Sequence, residues 1–114
     1  PYVNVDGSVS GETRIKKGTK IDHYCHIGHD CIIGEHCVIT ASVVFGGESS
    51  LGDYSFVGVG SIIKPRITVG SDCLIGMGSV VTKDVDDGWL AYGNPAKMIR
   101  ENERGYLYNK RWPN

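Results

Sequence analysis

Counting from Val3, every sixth residue is Val, Ile, Leu or Phe for fourteen steps: Val3, Val9, Ile15, Ile21, Ile27, Ile33, Ile39, Phe45, Leu51, Val57, Ile63, Val69, Ile75 and Val81. A helix repeats about every 3.6 residues and a strand about every two, so neither produces a period of six. An uninterrupted period of this kind marks a chain built of stacked repeats.

The other positions of the hexad say how it folds. Position five is small or β-branched: Thr13, Thr19, Cys25, Cys31, Cys37, Val43, Ser49, Ser55, Ser61, Cys73 and Ser79 among others. Position two is glycine in half of the repeats: Gly28, Gly34, Gly46, Gly52, Gly58, Gly70 and Gly76. Positions five, six and one therefore read as a short strand whose alternate side chains, five and one, share an interior. Positions two to four read as a corner, where glycine is expected to supply backbone conformations that other residues resist. The pattern predicts an all-β fold, a short-sided parallel β-helix over residues 3–86.

The 114 residues suffice for one domain. No apolar run approaches membrane-spanning length and no signal peptide opens the chain, so membrane insertion is not expected. The chain begins in frame without Met, which points to a longer native protein. A net charge of −1 does not advertise nucleic acid as a partner. Residues 1–56 hold four basic and seven acidic residues, and residues 57–114 hold eight and six, a small basic excess that reads first as a solvated mixed surface and second as a place for a phosphorylated ligand. Cys25, Cys31, Cys37 and Cys73 all fall at position five, and no C-x-x-C pair exists. They read as packing residues rather than metal ligands or redox partners, and free thiols suit a reducing cytoplasm.

After Asp86 the character changes. Asp87-Gly88 reads as a turn and Trp89–Tyr92 as a short apolar stretch ending at Gly93. Asn94-Pro95 resembles a helix start, Asn as N-cap and Pro at the first helical position. The segment from Ala96 to Arg104 has helix-compatible residues and Gly105 can stop it. Residues 87–114 are thus expected to form a turn, a C-terminal helix capping the open end of the solenoid, and a tail carrying Tyr106, Tyr108 and Trp112.

The hexads Ile27–Ile32 (IGHDCI), Ile33–Val38 (IGEHCV) and Ile75–Val80 (IGMGSV), with the ending Gly93-Asn94-Pro95-Ala96-Lys97, resemble the repeat of the hexapeptide acyltransferases. The resemblance covers residues 3 to about 100. It implies a left-handed helix of about five triangular coils, three hexads to a coil. The handedness comes from the family, since the general crossover preference is right-handed. It further implies a homotrimer with active sites between subunits, and an acyl-CoA or acyl-carrier-protein donor. Within the family the chain is most similar to bacterial sugar acetyltransferases of the sialic-acid O-acetyltransferase and UDP-4-amino-sugar N-acetyltransferase type. The shared features are His29-Asp30-Cys31-Ile32-Ile33-Gly34 and an uninterrupted helix. Those proteins usually carry an N-terminal nucleotide-sugar-binding domain, which is not in this sequence, and many other relatives extrude a loop that is also absent.

With eighteen residues per coil, residue i lies beneath residue i+18 at about 4.8 Å. His29 is then an outward corner residue beneath Gly47, itself preceded by Gly46. An imidazole can take a proton from an amine or hydroxyl attacking a thioester. A bare glycine overhead admits the thioester and offers an N–H to the oxyanion. Asp30 is the candidate for holding the imidazole's tautomer. The family's matching positions imply His29 as catalytic base and Gly47 as carbonyl contact. They put a coenzyme groove along Val59, Met77, Gly78 and Lys83 toward Pro95, Ala96 and Lys97, with the lysines as phosphate partners.

His23, His26 and His36 are read as surface or hydrogen-bonding residues. The expectation is an acetyltransferase moving acetyl from acetyl-CoA, without a metal, to an amino or hydroxyl group of a small-molecule sugar, nucleotide-linked in the favoured reading. The alternatives are a non-catalytic trimerisation scaffold and a zinc protein like the γ-class carbonic anhydrases, whose His-x4-His spacing is missing here.

Overall fold

From Arg14 to Val81 each hexad folds into a strand of two or three residues followed by a corner. The computed structural model describes residues 3–5 and 12–101. The strands stack in three walls. Wall one is β1 (Val3–Val5), β4 (Cys25–Ile27), β7 (Val44–Phe45), β10 (Ile62–Ile63) and β13 (Val80–Val81). Wall two is β2 (Arg14–Ile15), β5 (Ile32–Ile33), β8 (Ser50–Leu51) and β11 (Thr68–Val69). Wall three is β3 (Lys20–Ile21), β6 (Val38–Ile39), β9 (Phe56–Val57), β12 (Leu74–Ile75), β14 (Trp89–Gly93) and β15 (Ala96–Glu101). Every pairing between β2 and β13 is parallel, with residue i beside i+18, as in Ile33↔Leu51 and Ile62↔Val80. The result is a left-handed parallel β-helix of about four turns.

Position one fills the prism. Ile27, Ile33, Ile39, Phe45, Leu51, Val57, Ile63, Val69, Ile75 and Val81 are all buried, burial being the main source of stability in such a stack. Position five does more than leave room. Its thiol or hydroxyl donates to the position-two carbonyl fifteen residues on: Thr13 to Gly28 at 2.8 Å, Cys31 to Gly46 at 3.2 Å, Cys37 to Gly52 at 3.1 Å and Ser55 to Gly70 at 2.8 Å. An inward carbonyl is satisfied without any polar group large enough to break the packing.

The reason for the position-two glycines differs from the expected one. The left-handed backbone falls at position four, at Tyr24, Asp30, His36, Ser42, Glu48, Tyr54, Arg66 and Asp72 as well as Gly18, Gly60 and Gly78. Position two has ordinary φ but no space. A Cβ on Gly28 would lie 2.8 Å from Gly47 N, on Gly46 2.5 Å from Pro65 N, and on Gly58 2.5 Å from Met77 N. Glycine is there because the next coil's backbone comes too close.

The frame shifts at both ends. At the start, Val3 pairs with Cys25 and Val5 with Ile27, so Val5, not Val9, stands beneath Ile27. Val9 lies outside the described residues. At the end, Val69 pairs with Val85 and Leu74 with Leu90, a coil two residues shorter than the others. Asp84 and Asp87 close it, accepting hydrogen bonds from the Thr68 and Ser71 N–H groups, both at 2.9 Å. The expected turn at Asp87-Gly88 is present.

The expected capping helix is not. Ala96–Glu101 is strand β15, which turns back at a cis Asn94–Pro95 bond and pairs antiparallel with β14, Gly93↔Ala96 to Trp89↔Glu101. The open edge of β12 recruits β14, and β14 then offers its own edge to the returning chain. Sheet pairing overrides a segment that was only helix-compatible. The expected helix end at Arg104 and Gly105, and the tail with Tyr106, Tyr108 and Trp112, lie outside the described residues.

Candidate active site

The corner between walls one and two stacks His29, Gly47, Pro65 and Lys83 at position three, one per turn. Beneath Gly47, the imidazole of His29 is 41% exposed and its partner Asp30 only 15%. His29 Nδ1 lies 3.0 Å from Asp30 Oδ2. Since an ionised carboxylate only accepts, Nδ1 carries the hydrogen in this pair and Nε2 is the ring's basic nitrogen. The left-handed backbone of Asp30, φ 57°, accompanies this contact between neighbours in sequence.

Nε2 faces Gly47, where a Cβ would come within 2.5 Å of it. The main chain fixes the turn: Glu48 N–H donates to the His29 carbonyl at 2.8 Å and Arg66 N–H to the Gly47 carbonyl at 3.0 Å. A charged pair missed by the sequence reading stands beside this column, Arg66 Nε donating to Glu48 Oε1 at 2.8 Å. A signal for it existed, since Glu48 and Arg66 are eighteen residues apart.

The other expected site residues fall in two further places. Val59, Met77 and Gly78 line the corner between walls three and one, on the opposite side of wall one from His29. Val59 and Met77 are exposed, and a Cβ on Gly78 would meet nothing within 4 Å. Lys83, Pro95 and Lys97 come together, lining a cavity of about 340 Å³ with Thr82 and Ala96 at the top of the stack. One chain therefore joins His29, Asp30 and Gly47, and separately Lys83, Pro95 and Lys97, but holds the Val59–Met77–Gly78 corner apart from His29.

The remaining histidines sit elsewhere. His23 is exposed, its Nε2 3.4 Å from Asp22 Oδ1. His36 stacks on Tyr54 with ring centroids 5.5 Å apart and covers Gly18. His26 lies on the outer face of wall one.

All four cysteines are free and buried. Burial pushes the thiols of Cys25, Cys37 and Cys73 up, away from the thiolate a nucleophile needs. Among the described residues no group of three or more His, Cys, Asp or Glu could hold a metal ion, and no helix is long and apolar enough to cross a membrane.

The signature of the bacterial transferase hexapeptide family (six repeats) matches residues 12–47 and 48–83. Galactoside O-acetyltransferase of Escherichia coli K12 is 38% identical over 60 residues, 52% of this chain and 30% of that enzyme. PerB from Caulobacter crescentus, solved in complex with CoA and GDP-perosamine, superposes with a TM-score of 0.66 at 29% identity, over 88% of this chain and 55% of PerB. The soybean serine acetyltransferase apoenzyme superposes with a TM-score of 0.71 at 31% identity, over 76% of this chain and 40% of that one. Such alignments span less than a third of the length of the curated relatives matched, 30% and 26% in two cases.

Proposed function

The chain belongs to the bacterial transferase hexapeptide family, and on that premise we propose that it moves an acetyl group from acetyl-CoA to an amine or hydroxyl of a sugar. The acceptor in this reading is nucleotide-linked, as GDP-perosamine is in the complex of the similar PerB. One observation carries the proposal: His29 is tied through Nδ1 to Asp30 at 3.0 Å, with Nε2 turned to the bare backbone of Gly47.

His29 Nε2 takes the proton as the acceptor's nitrogen or oxygen attacks the thioester carbonyl. Asp30 holds the tautomer and stabilises the imidazolium. The Gly47 N–H is the proposed donor to the oxyanion. When the tetrahedral intermediate collapses, the carbon–sulfur bond breaks and the imidazolium returns its proton to the departing thiolate. Transfer is direct, because the four thiols are buried in the prism, out of reach of a thioester. Free thiols also fit a reducing compartment, here the cytoplasm.

The coenzyme would run along Val59, Met77 and Gly78, its phosphates meeting Lys97 and, from the His29 corner of the adjoining copy, Lys83. That groove flanks wall one on the side away from His29, so the proposed assembly is a trimer with wall one toward the axis. Such a ring brings the His29 corner of each copy to the Val59–Gly78 corner of the next, a head-to-tail contact that closes. The outer residues Val44, Ile62 and Val80 of wall one, with exposed Tyr24, Val59 and Tyr92 at its edge, are the apolar surface it would cover.

The test is release of free thiol from acetyl-CoA with a panel of nucleotide-linked amino sugars and free sugars. Release that requires a sugar, and an acetylated sugar by mass spectrometry, supports the reading. Acetyl-CoA binding with transfer to no sugar rejects it.

A further inference from the structure

The corner that carries His29 also carries a charged pair that acetyl transfer, as described, does not use. Glu48 follows Gly47 in the chain and stands one turn above Asp30. One turn higher, Arg66 donates from Nε to Glu48 Oε1 at 2.8 Å. Held through Nε, the guanidinium keeps the N–H groups of both terminal nitrogens as further donors, and the carboxylate keeps lone pairs.

The fold does not call for this pair. Arg66 is 80% exposed and Glu48 43%, and a pair so placed adds little to stability. The corner is fastened by main-chain bonds, Glu48 N–H to His29 and Arg66 N–H to Gly47, which any residue but proline supplies. Nor does the left-handed backbone select glutamate or arginine, since Tyr24, His36, Ser42 and Asp72 occupy the same position elsewhere. Of the two arginine–carboxylate pairs among the described residues, Arg14–Glu12 is loose at 4.0 Å, and the tight one stands at the His29 corner.

A carboxylate and a guanidinium side by side offer acceptors and donors together. That combination suits neighbouring sugar hydroxyls, each of which gives one hydrogen bond and takes others. We propose that the Glu48–Arg66 pair orients the acceptor, binding hydroxyls beside the group to be acetylated while His29 takes its proton. This rests on the acetyltransferase reading and assigns the acceptor side of the same site, with Glu48 and Arg66 as positioning residues.

The test uses the full chain with acetyl-CoA and three acceptors: a UDP-linked 4-amino sugar, a GDP-linked amino sugar and methyl β-galactoside. For whichever is acetylated, Glu48→Gln and Arg66→Ala should each raise the acceptor KM by about tenfold or more, while the acetyl-CoA KM stays within about twofold. The acid limb of the pH–rate profile should not move, because the base is untouched. The double variant should lose little beyond either single one, since the two side chains act as one unit. A deoxy acceptor lacking the neighbouring hydroxyl should be penalised by the wild type and not further by Glu48→Gln. Unchanged acceptor KM in both variants, or a rise confined to acetyl-CoA, overturns the proposal and leaves the acetyltransferase reading standing. A wild type that acetylates none of the three sugars removes the sugar reading and this proposal with it.

Discussion

The imidazole of His29 rests in the space that a side chain at position 47 would fill: a Cβ there would lie 2.5 Å from Nε2. Gly47 has no left-handed φ, so alanine suits its backbone and only the ring must give way. Gly47→Ala should therefore fold, at a cost of about 1 kcal/mol, while displacing the base from its working position. A fall in kcat of about 10²-fold is expected, the usual consequence of a misplacement near 1 Å. Thermal melting and steady-state kinetics on one preparation check both halves; an alanine variant as fast as wild type contradicts the arrangement.

His29→Ala should lower kcat by roughly 10²–10⁴-fold and leave the acetyl-CoA KM nearly unchanged. Rate should fall in the wild type where the ring becomes protonated, because the protonated ring cannot accept a proton, and the residual rate of His29→Ala should lack that limb. Asp30→Asn keeps the shape but offers the ring an amide, so it should lose about tenfold or more in kcat. His23→Ala, His26→Ala and His36→Ala serve as controls and should retain most activity. Full activity in a folded His29→Ala would end the general-base mechanism.

Cys37 donates its thiol hydrogen to the Gly52 carbonyl at 3.1 Å, the same bond Ser55 makes to Gly70 at 2.8 Å. Cys37→Ser should thus be close to neutral in stability at pH 7, whereas Cys37→Ala, which strands the carbonyl, should cost about 1 kcal/mol. Burial raises the folded thiol above its ordinary value of 9.0. Unfolded protein then loses the proton first, so stability is complete below about pH 9 and declines as pH rises toward the folded value. Denaturant titrations between pH 7 and 10.5 should show that decline in the wild type and a weaker one in Cys37→Ser. Identical slopes would refute the burial argument.

Light scattering should give three times the mass of one chain, and mixing can locate the active site. His29→Ala damages one corner of the prism; Gly78→Trp blocks the other, at a left-handed position that Tyr24 shows can carry a large ring. Each variant alone should be nearly inactive. If the site spans two copies of a closed ring, unfolding and refolding them together in equal amounts should restore about a quarter of wild-type activity, since half of each corner type is intact. No recovery would mean that a single chain holds the whole site.

The middle of the molecule was legible and its ends were not, for physical reasons. Between Ile15 and Val81 each hexad meets a copy of itself above and below, so local pattern and tertiary contact agree. Val3 and Val9 keep the period in sequence, yet Val5 pairs with Ile27, so the spacing of eighteen that holds from β2 to β13 does not extend to β1. At the other end Ala96–Glu101 carries no strong preference, and the bare edge of β14 decides its conformation. In the site, the count of eighteen that links His29 to Gly47 was readable. The reach of Asp30 back to His29 depends on a φ of 57° that residue type alone does not declare. Glu48 and Arg66 obey the same count, so opposite charges eighteen residues apart were the readable signal for their contact.

The left-handed position at each corner has a consequence for how such a molecule changes over generations. Eight non-glycine residues of six types already occupy it, from serine to tyrosine to arginine, so its backbone strain is a constant of the architecture and does not depend on which side chain hangs there. Mutation can therefore sample new acids, bases and aromatic surfaces along three outer seams while the interior ladder stays as it is. A lineage built this way can exchange one acceptor for another by single substitutions that leave folding intact.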